Sequence, residues 1–113
     1  MGSGFRVTGN SHVINCYALN NGSVDGFAPD KAGIVVTGDG SRIEGNSCFG
    51  NNGSGIYLFG ANTIRNLVVH NSVPGQGTGI DATQSVRDLN QIAPEHGPAE
   101  LDTLTNPYLN FGK

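Results

Sequence analysis

Apolar residues enter this chain in short alternating steps separated by glycine, asparagine and serine. Gly33-Ile34-Val35-Val36, Gly55-Ile56-Tyr57-Leu58 and Gly79-Ile80-Asp81-Ala82 open on the same glycine-isoleucine step, 22 and 24 residues apart. Gly4-Phe5-Arg6-Val7 matches them 29 residues earlier, the extra length being carried by "DGFAPDKA" at 25–32. A second apolar step follows in each repeat: residues 12–18 ("HVINCYA"), 42–48 ("RIEGNSC") and 67–73 ("LVVHNSV"). Self-similarity at a period of this length marks a solenoid. Each step is short and alternates with the period of a strand that buries one face. Glycine, 18 of the 113 residues, interrupts too often for any helical stripe to develop. The pattern therefore predicts two short strands per repeat and no helix.

If each repeat is one turn of a coil, equivalent strands stack in parallel about 4.8 Å apart and aligned columns fill the interior. The expected fold is all-β, a right-handed parallel β-helix of about three to four coils with an extended C-terminal tail. The inward columns are Phe5/Ile34/Ile56/Ile80, Val7/Val36/Leu58/Ala82, Val13/Ile43/Val68 and Ala18/Cys48/Val73. The column Cys16/Asn46/Asn71 falls at a bend, where stacked amides can hydrogen-bond up the stack. Met1-Gly2-Ser3-Gly4 reads as a start methionine with a short linker, residues 5–89 as coils, and 90–113 as a non-repeat tail. That tail holds three prolines and ends in Tyr108, Leu109 and Phe111, which suits an extended segment laid over an open core end or a neighbouring subunit.

The stretch at 33–73, "GIVVTGDGSRIEGNSCFGNNGSGIYLFGANTIRNLVVHNSV", resembles the C-terminal coils of bacterial right-handed parallel β-helix repeat proteins of the pectate-lyase-like superfamily. The ending "GPAELDTLTNPYLNF" is similar to their closing tail. The resemblance covers nearly the whole chain and bears on fold more than on activity, because that superfamily spans lyases, glycosidases, tailspikes and proteins with no assigned role. It implies a homotrimer packed side by side and, since such β-helices mostly act outside cells, a secreted or surface location.

Charge narrows the partners. Six Lys and Arg against nine Asp and Glu give a net charge of −3, with the cations scattered singly, which argues against a nucleic-acid surface. Apolar runs such as Ile34-Val35-Val36 and Leu67-Val68-Val69 are far too short to insert into a membrane. The outward positions of the first strand are Arg6/Val35/Tyr57/Asp81 and Thr8/Thr37/Phe59/Thr83, and Leu67 and Val69 point outward from the second. Apolar outward residues on a small solenoid favour a subunit contact. The expected oligomer interface is therefore Val35, Tyr57, Phe59, Leu67 and Val69, joined by Tyr108, Leu109 and Phe111. The alternative is a polysaccharide platform, with Tyr57 and Phe59 stacking on sugar rings while Arg6 and Asp81 bind hydroxyls.

Candidate chemistry is sparse. Cys16 and Cys48 sit two residues and one coil apart, on the order of 8 Å, beyond disulfide reach, so two buried thiols are expected. Neither has a ligand at metal spacing, and no catalytic set, metal or cofactor is assigned. Lyases of this fold need an acidic cluster with a nearby Arg or Lys, yet Asp39, Glu44 and Asp81 fall in different columns, as do Arg6, Arg42 and Arg65. Asp81 with Asp88 is the only near carboxyl pair in one coil that a glycosidase could use. His12, His70 and His96 read as surface or bend residues. The glycine clusters at 50–55 and 75–79 precede no helix and read as tight turns. Asn21-Gly22-Ser23 and Asn52-Gly53-Ser54 match a glycosylation sequon but are expected in one turn of successive coils. The expected role is a non-catalytic structural or assembly module, with carbohydrate binding or a lyase or hydrolase remnant as alternatives.

Overall fold

The computed structural model describes residues 2–22, 31–96 and 110–111, without the side chains of Glu95, His96 and Phe111. Coil one consists of β1 (Phe5–Val7), β2 (His12–Ile14) and β3 (Tyr17–Leu19), and coil two of β4 (Ile34–Val36), β5 (Arg42–Glu44) and β6 (Ser47–Phe49). Coil three has β7 (Ser54–Leu58) and β8 (Leu67–Val69), with its third side reduced to a bridge from Ser72 to Ser47. A fourth, partial turn follows: β9 (Thr78–Asp81), helix α1 (Gln84–Asp88), β10 (Gln91–Ile92) and β11 (Glu95–His96); β12 (Asn110–Phe111) comes back from the tail to pair with β11.

All pairings are parallel. Face A runs β1-β4-β7-β9, face B runs β2-β5-β8-β10, and face C pairs β3 with β6. The molecule is thus a three-sided parallel β-solenoid of about three turns. The first two coils have three strands each, and the third has two and a bridge, where the sequence pattern suggested two per repeat. Residues 12–18 form β2 and the start of β3, because Asn15, at φ 55°, takes the left-handed conformation and turns the chain between them. Gly45 (66°) and His70 (55°) do the same one and two coils up. Asn, Gly and His share little as residue types, so the corner leaves no repeating letter in the sequence.

The inward columns hold. Phe5 pairs with Ile34, Ile34 with Ile56 and Ile56 with Ile80; Val13 pairs with Ile43 and Ile43 with Val68; Ala18 pairs with Cys48. Ile34, Val36, Ile43, Cys48, Ile56 and Val68 are fully buried and form one continuous core. At about 25 cal/mol per Å² of apolar surface, each such side chain contributes roughly 1.5–3 kcal/mol. Two departures lie at the C-terminal end. The pairing continues through Gln91↔Leu67 and Ile92↔Val68, past residue 89, and a five-residue helix occupies the corner before it. Val86 on α1 packs onto the core, and Arg87 fixes the helix by donating to the Ile80 carbonyl at 2.9 Å.

Amide ladders stitch all three corners. In the first, Cys16 N–H donates to Asn46 Oδ1 (2.9 Å), and Asn46 N–H and Nδ2 both donate to Asn71 Oδ1 (3.0 Å each). Asn71 N–H and Nδ2 in turn donate to Asn110 Oδ1 at 2.8 and 3.1 Å. Each amide also reaches the coil before it, Asn46 Nδ2 to the Val13 carbonyl (2.8 Å) and Asn71 Nδ2 to that of Ile43 (2.9 Å). The other corners carry Asn21/Asn51/Gln76 and Ser11/Ser41/Asn66/Asn90. Only the Cys16/Asn46/Asn71 column was expected. The two further ladders replace asparagine by Gln76 or by serine, which hides them from a search for a repeated residue. Among the described residues, every buried side-chain nitrogen and oxygen has a hydrogen-bond partner.

Two consequences are measurable by urea denaturation. Asn71→Ala strands the Asn46 donors in a dry interior and should cost about 2–4 kcal/mol, whereas Asn62→Ala at an exposed turn should stay within about 0.5 kcal/mol. Gly45→Ala places a Cβ 2.3 Å from Asn15 Oδ1 at a left-handed φ, and should cost roughly 1–2 kcal/mol. Adding Asn15→Gly should recover part of that loss by removing the clash, leaving the backbone cost.

Candidate functional site

With the interior filled, any function must be carried by the outer faces and corners. On face A the outward column has the predicted register, Arg6↔Val35, Val35↔Tyr57 and Tyr57↔Asp81. Tyr57 and Phe59 stack with ring centroids 5.1 Å apart and planes 20° from parallel, both half-buried. Asp81 lies beside Tyr57 and accepts from Ser54 Oγ at 3.4 Å. Tyr57, Phe59 and Asp81 are therefore brought together, while Arg6 stands two rungs away across Val35.

Val35 corrects an expectation. It points outward from the sheet yet is fully buried within the single chain, so it has no surface to give a partner. Val69 on face B is likewise 5% exposed and offers little. Leu67 is half-buried and lines, with Val69, Arg42, Gln91, Ile92 and Ala93, an open groove of about 500 Å³ along face B. Tyr108 and Leu109 lie outside the described residues, as does the side chain of Phe111. Of the expected contact residues, Tyr57, Phe59 and Leu67 remain partly accessible.

The charged residues form local pairs. Arg42 Nε donates to Glu44 Oε2 at 2.7 Å on face B, and this guanidinium, helped by His70, holds the Glu44 carboxyl below its usual range. At the corner between faces A and B, Arg65 grips Asp39 with both ends of its fork, Nε to Oδ1 at 2.9 Å, and lowers the Asp39 carboxyl in the same way. A carboxyl held as its anion has no proton to give at neutral pH, so neither Asp39 nor Glu44 is suited to act as a glycosidase acid. Among the described residues no group of three His, Cys, Asp or Glu could hold a metal ion. No helix there is long and apolar enough to cross a membrane.

Both cysteines are free thiols. Cys48 is buried in the core and its pKa is pushed up to about 12 by loss of solvent. Cys16 is only half-buried, contrary to the expectation of two buried thiols, although it packs against the edge of the core. The two sequons are not equivalent either. Asn21 stacks on Asn51 as a ladder rung, whereas Asn52 is exposed and donates to the Gly22 carbonyl at 2.6 Å.

Face C holds what the sequence pattern did not single out. Tyr17 is 73% exposed, Leu19 48% and Phe49 54%, and they sit on adjacent rungs with Tyr17 beside Ser47 and Leu19 beside Phe49. The alternation of Tyr17-Ala18-Leu19 and Ser47-Cys48-Phe49 was the available signal: with Ala18 and Cys48 inward, their neighbours must face out. Reading 12–18 as a single strand concealed it.

Comparison with protein-family models, curated proteins and solved structures returned no match to this chain.

Thiol labelling tests the local environments. At pH 8 the folded protein should be alkylated at Cys16 and spared at Cys48, and both should react in denaturant. A Cys48 pKa raised from 9.0 to about 12 favours the folded state below pH 9 and withdraws that support as pH rises from 9 towards 12. Cys48→Ala should flatten that alkaline fall in a denaturation series.

Proposed function

We propose that this chain is a non-catalytic structural and assembly module, a right-handed parallel β-helix segment of a larger surface or secreted protein that associates with copies of itself. The observation that carries this reading is the set of bulky apolar side chains left exposed on a rigid face, Tyr17, Leu19 and Phe49, in a chain whose core is otherwise well filled. Exposed apolar clusters of this kind mark interaction surfaces. Right-handedness follows from the chirality of parallel crossovers. The likeness to pectate-lyase-like β-helices favours a closed trimer; a closed arrangement leaves no face open to filament growth.

The stacked pair Tyr57–Phe59 beside Asp81 favours carbohydrate binding as a second reading, since a ring face with an adjacent carboxylate suits a sugar's apolar face and hydroxyls. Titration calorimetry with acidic and neutral oligosaccharides separates the two: heat lost in Tyr57→Ala supports the sugar platform. For the assembly reading, light scattering at micromolar concentration should return a multiple of the chain mass, three chains for the closed trimer. A monomer throughout that range would sink it.

A further inference from the structure

We infer that β12 is a strap: Asn110 locks the end of the stack by filling a rung that the repeat itself does not supply, and so keeps that end from pairing with another chain. The inference stands apart from the assembly reading, which concerns the outer faces of the protein with the strap in place.

The corner between faces A and B shows what a fourth rung requires. Asn66 N–H and Nδ2 both donate to Asn90 Oδ1 (2.9 Å each), and Asn90 Nδ2 donates to the carbonyls of Thr63 and Val86 (2.7 Å each). Asn90 comes 24 residues after Asn66, in step with β10, where Gln91 pairs with Leu67 and Ile92 with Val68. The same step carried from His70 and Asn71 reaches Pro94 and Glu95. Neither suits the corner between faces B and C. His70 turns the chain there with a φ of 55°, whereas a proline ring holds φ at about −65°. A carboxylate at the rung accepts hydrogen bonds but has no hydrogen to donate to the carbonyls around it.

Asn110 supplies what this stretch lacks. It accepts from Asn71 N–H and Nδ2 at 2.8 and 3.1 Å, and its Nδ2 donates to the carbonyls of Val68 (3.1 Å) and Ala93 (2.6 Å). The bonding of Asn90 is thus repeated at the next corner, with Val68 placed before Asn71 as Thr63 is before Asn66. One fully buried carboxamide meets two donors and two acceptors, a set that neither a carboxylate nor an alkyl side chain can satisfy. Since β12 is two residues long and pairs with β11 alone, this side chain carries most of the attachment. With the amide withdrawn, Asn71 and the two carbonyls would stand unmet at the end of the stack. An edge of that kind is a template for a strand of another chain, and covering it with a returning segment suppresses such pairing.

The test sets the full chain beside Asn110→Asp and Asn110→Ala, and beside a triple variant in which Pro94→Gly and Glu95→Asn accompany Asn110→Ala and return the rung to the repeat. Hydrogen exchange at the Asn71 N–H reports the seat, exchange at the Cys16 N–H reports the ladder two rungs below, and a light-scattering concentration series reports association. In both single variants at pH 7, Asn71 should exchange about tenfold faster or more while Cys16 stays within about twofold, and the molar mass should climb with concentration above the parent's. The triple variant should recover the parent's protection and mass. Unchanged Asn71 protection in Asn110→Asp overturns the lock. An opened seat with the parent's mass at every concentration overturns the guarding role, and an opened seat that the triple variant does not close overturns the assignment of the missing rung to Pro94 and Glu95. Loss of the parent's circular dichroism in both single variants overturns the strap as a device separable from the coils.

Discussion

The solenoid depends on one interaction, the side-chain amide that bonds to its neighbours in the coils before and after. A β-strand of three residues has too few backbone hydrogen bonds to set its own register, and the turn following it must bury peptide groups with no partner in the strand pairing. Asn46 and Asn71 meet both needs. Each accepts a main-chain N–H from the coil before and donates both to a carbonyl there and to the next rung, so the corner is bonded as completely as a sheet. Within a dry interior, leaving such groups unmade would cost more than the net gain of making them, which makes the ladder a constraint before it is a source of stability.

The left-handed residue that precedes each ladder position of the first three coils is the geometric partner of this chemistry. Asn15, Gly45 and His70 turn the chain so that the next residue, Cys16, Asn46 or Asn71, points into the corner. Glycine at 45 both adopts that conformation and leaves room for the Asn15 side chain of the coil before. Arg65 and His70 take the same conformation with full side chains, at roughly 1–3 kcal/mol each. The exposed Arg65–Asp39 pair offsets little of that, because solvent screens it. Coil three is held in its corners by the ladders on either side of it.

Legibility followed from which property repeats. Inward columns were readable because burial selects for apolar residues at a fixed interval, and Ile34, Ile56 and Ile80 are the same residue. Corners were not, since a left-handed φ is satisfied by Asn, Gly, His or Arg, and a ladder rung by Asn, Gln or Ser. The fourth rung was out of reach, because Asn110 comes 39 residues after Asn71 and meets it only when the tail returns. On the outside, period-two alternation identified Val35 and Val69 as outward-facing. It said nothing of the cover that buries them, and the same alternation, cut by an unrecognised corner at Asn15, passed over Tyr17 and Phe49.

The spacing of the rungs has a meaning for how such chains change over time. Asn21 and Asn51 are 30 residues apart, Asn51 and Gln76 only 25, yet both steps advance the stack by one layer with the same bonds. Position in this fold is counted in whole turns, so an insertion either disappears into a loop between corners or adds a complete layer. Intermediate outcomes would leave donors unmatched on three edges at once. A lineage built this way can gain and lose length freely at its loops and extend by duplication, while the internal geometry inherited by each layer stays the same.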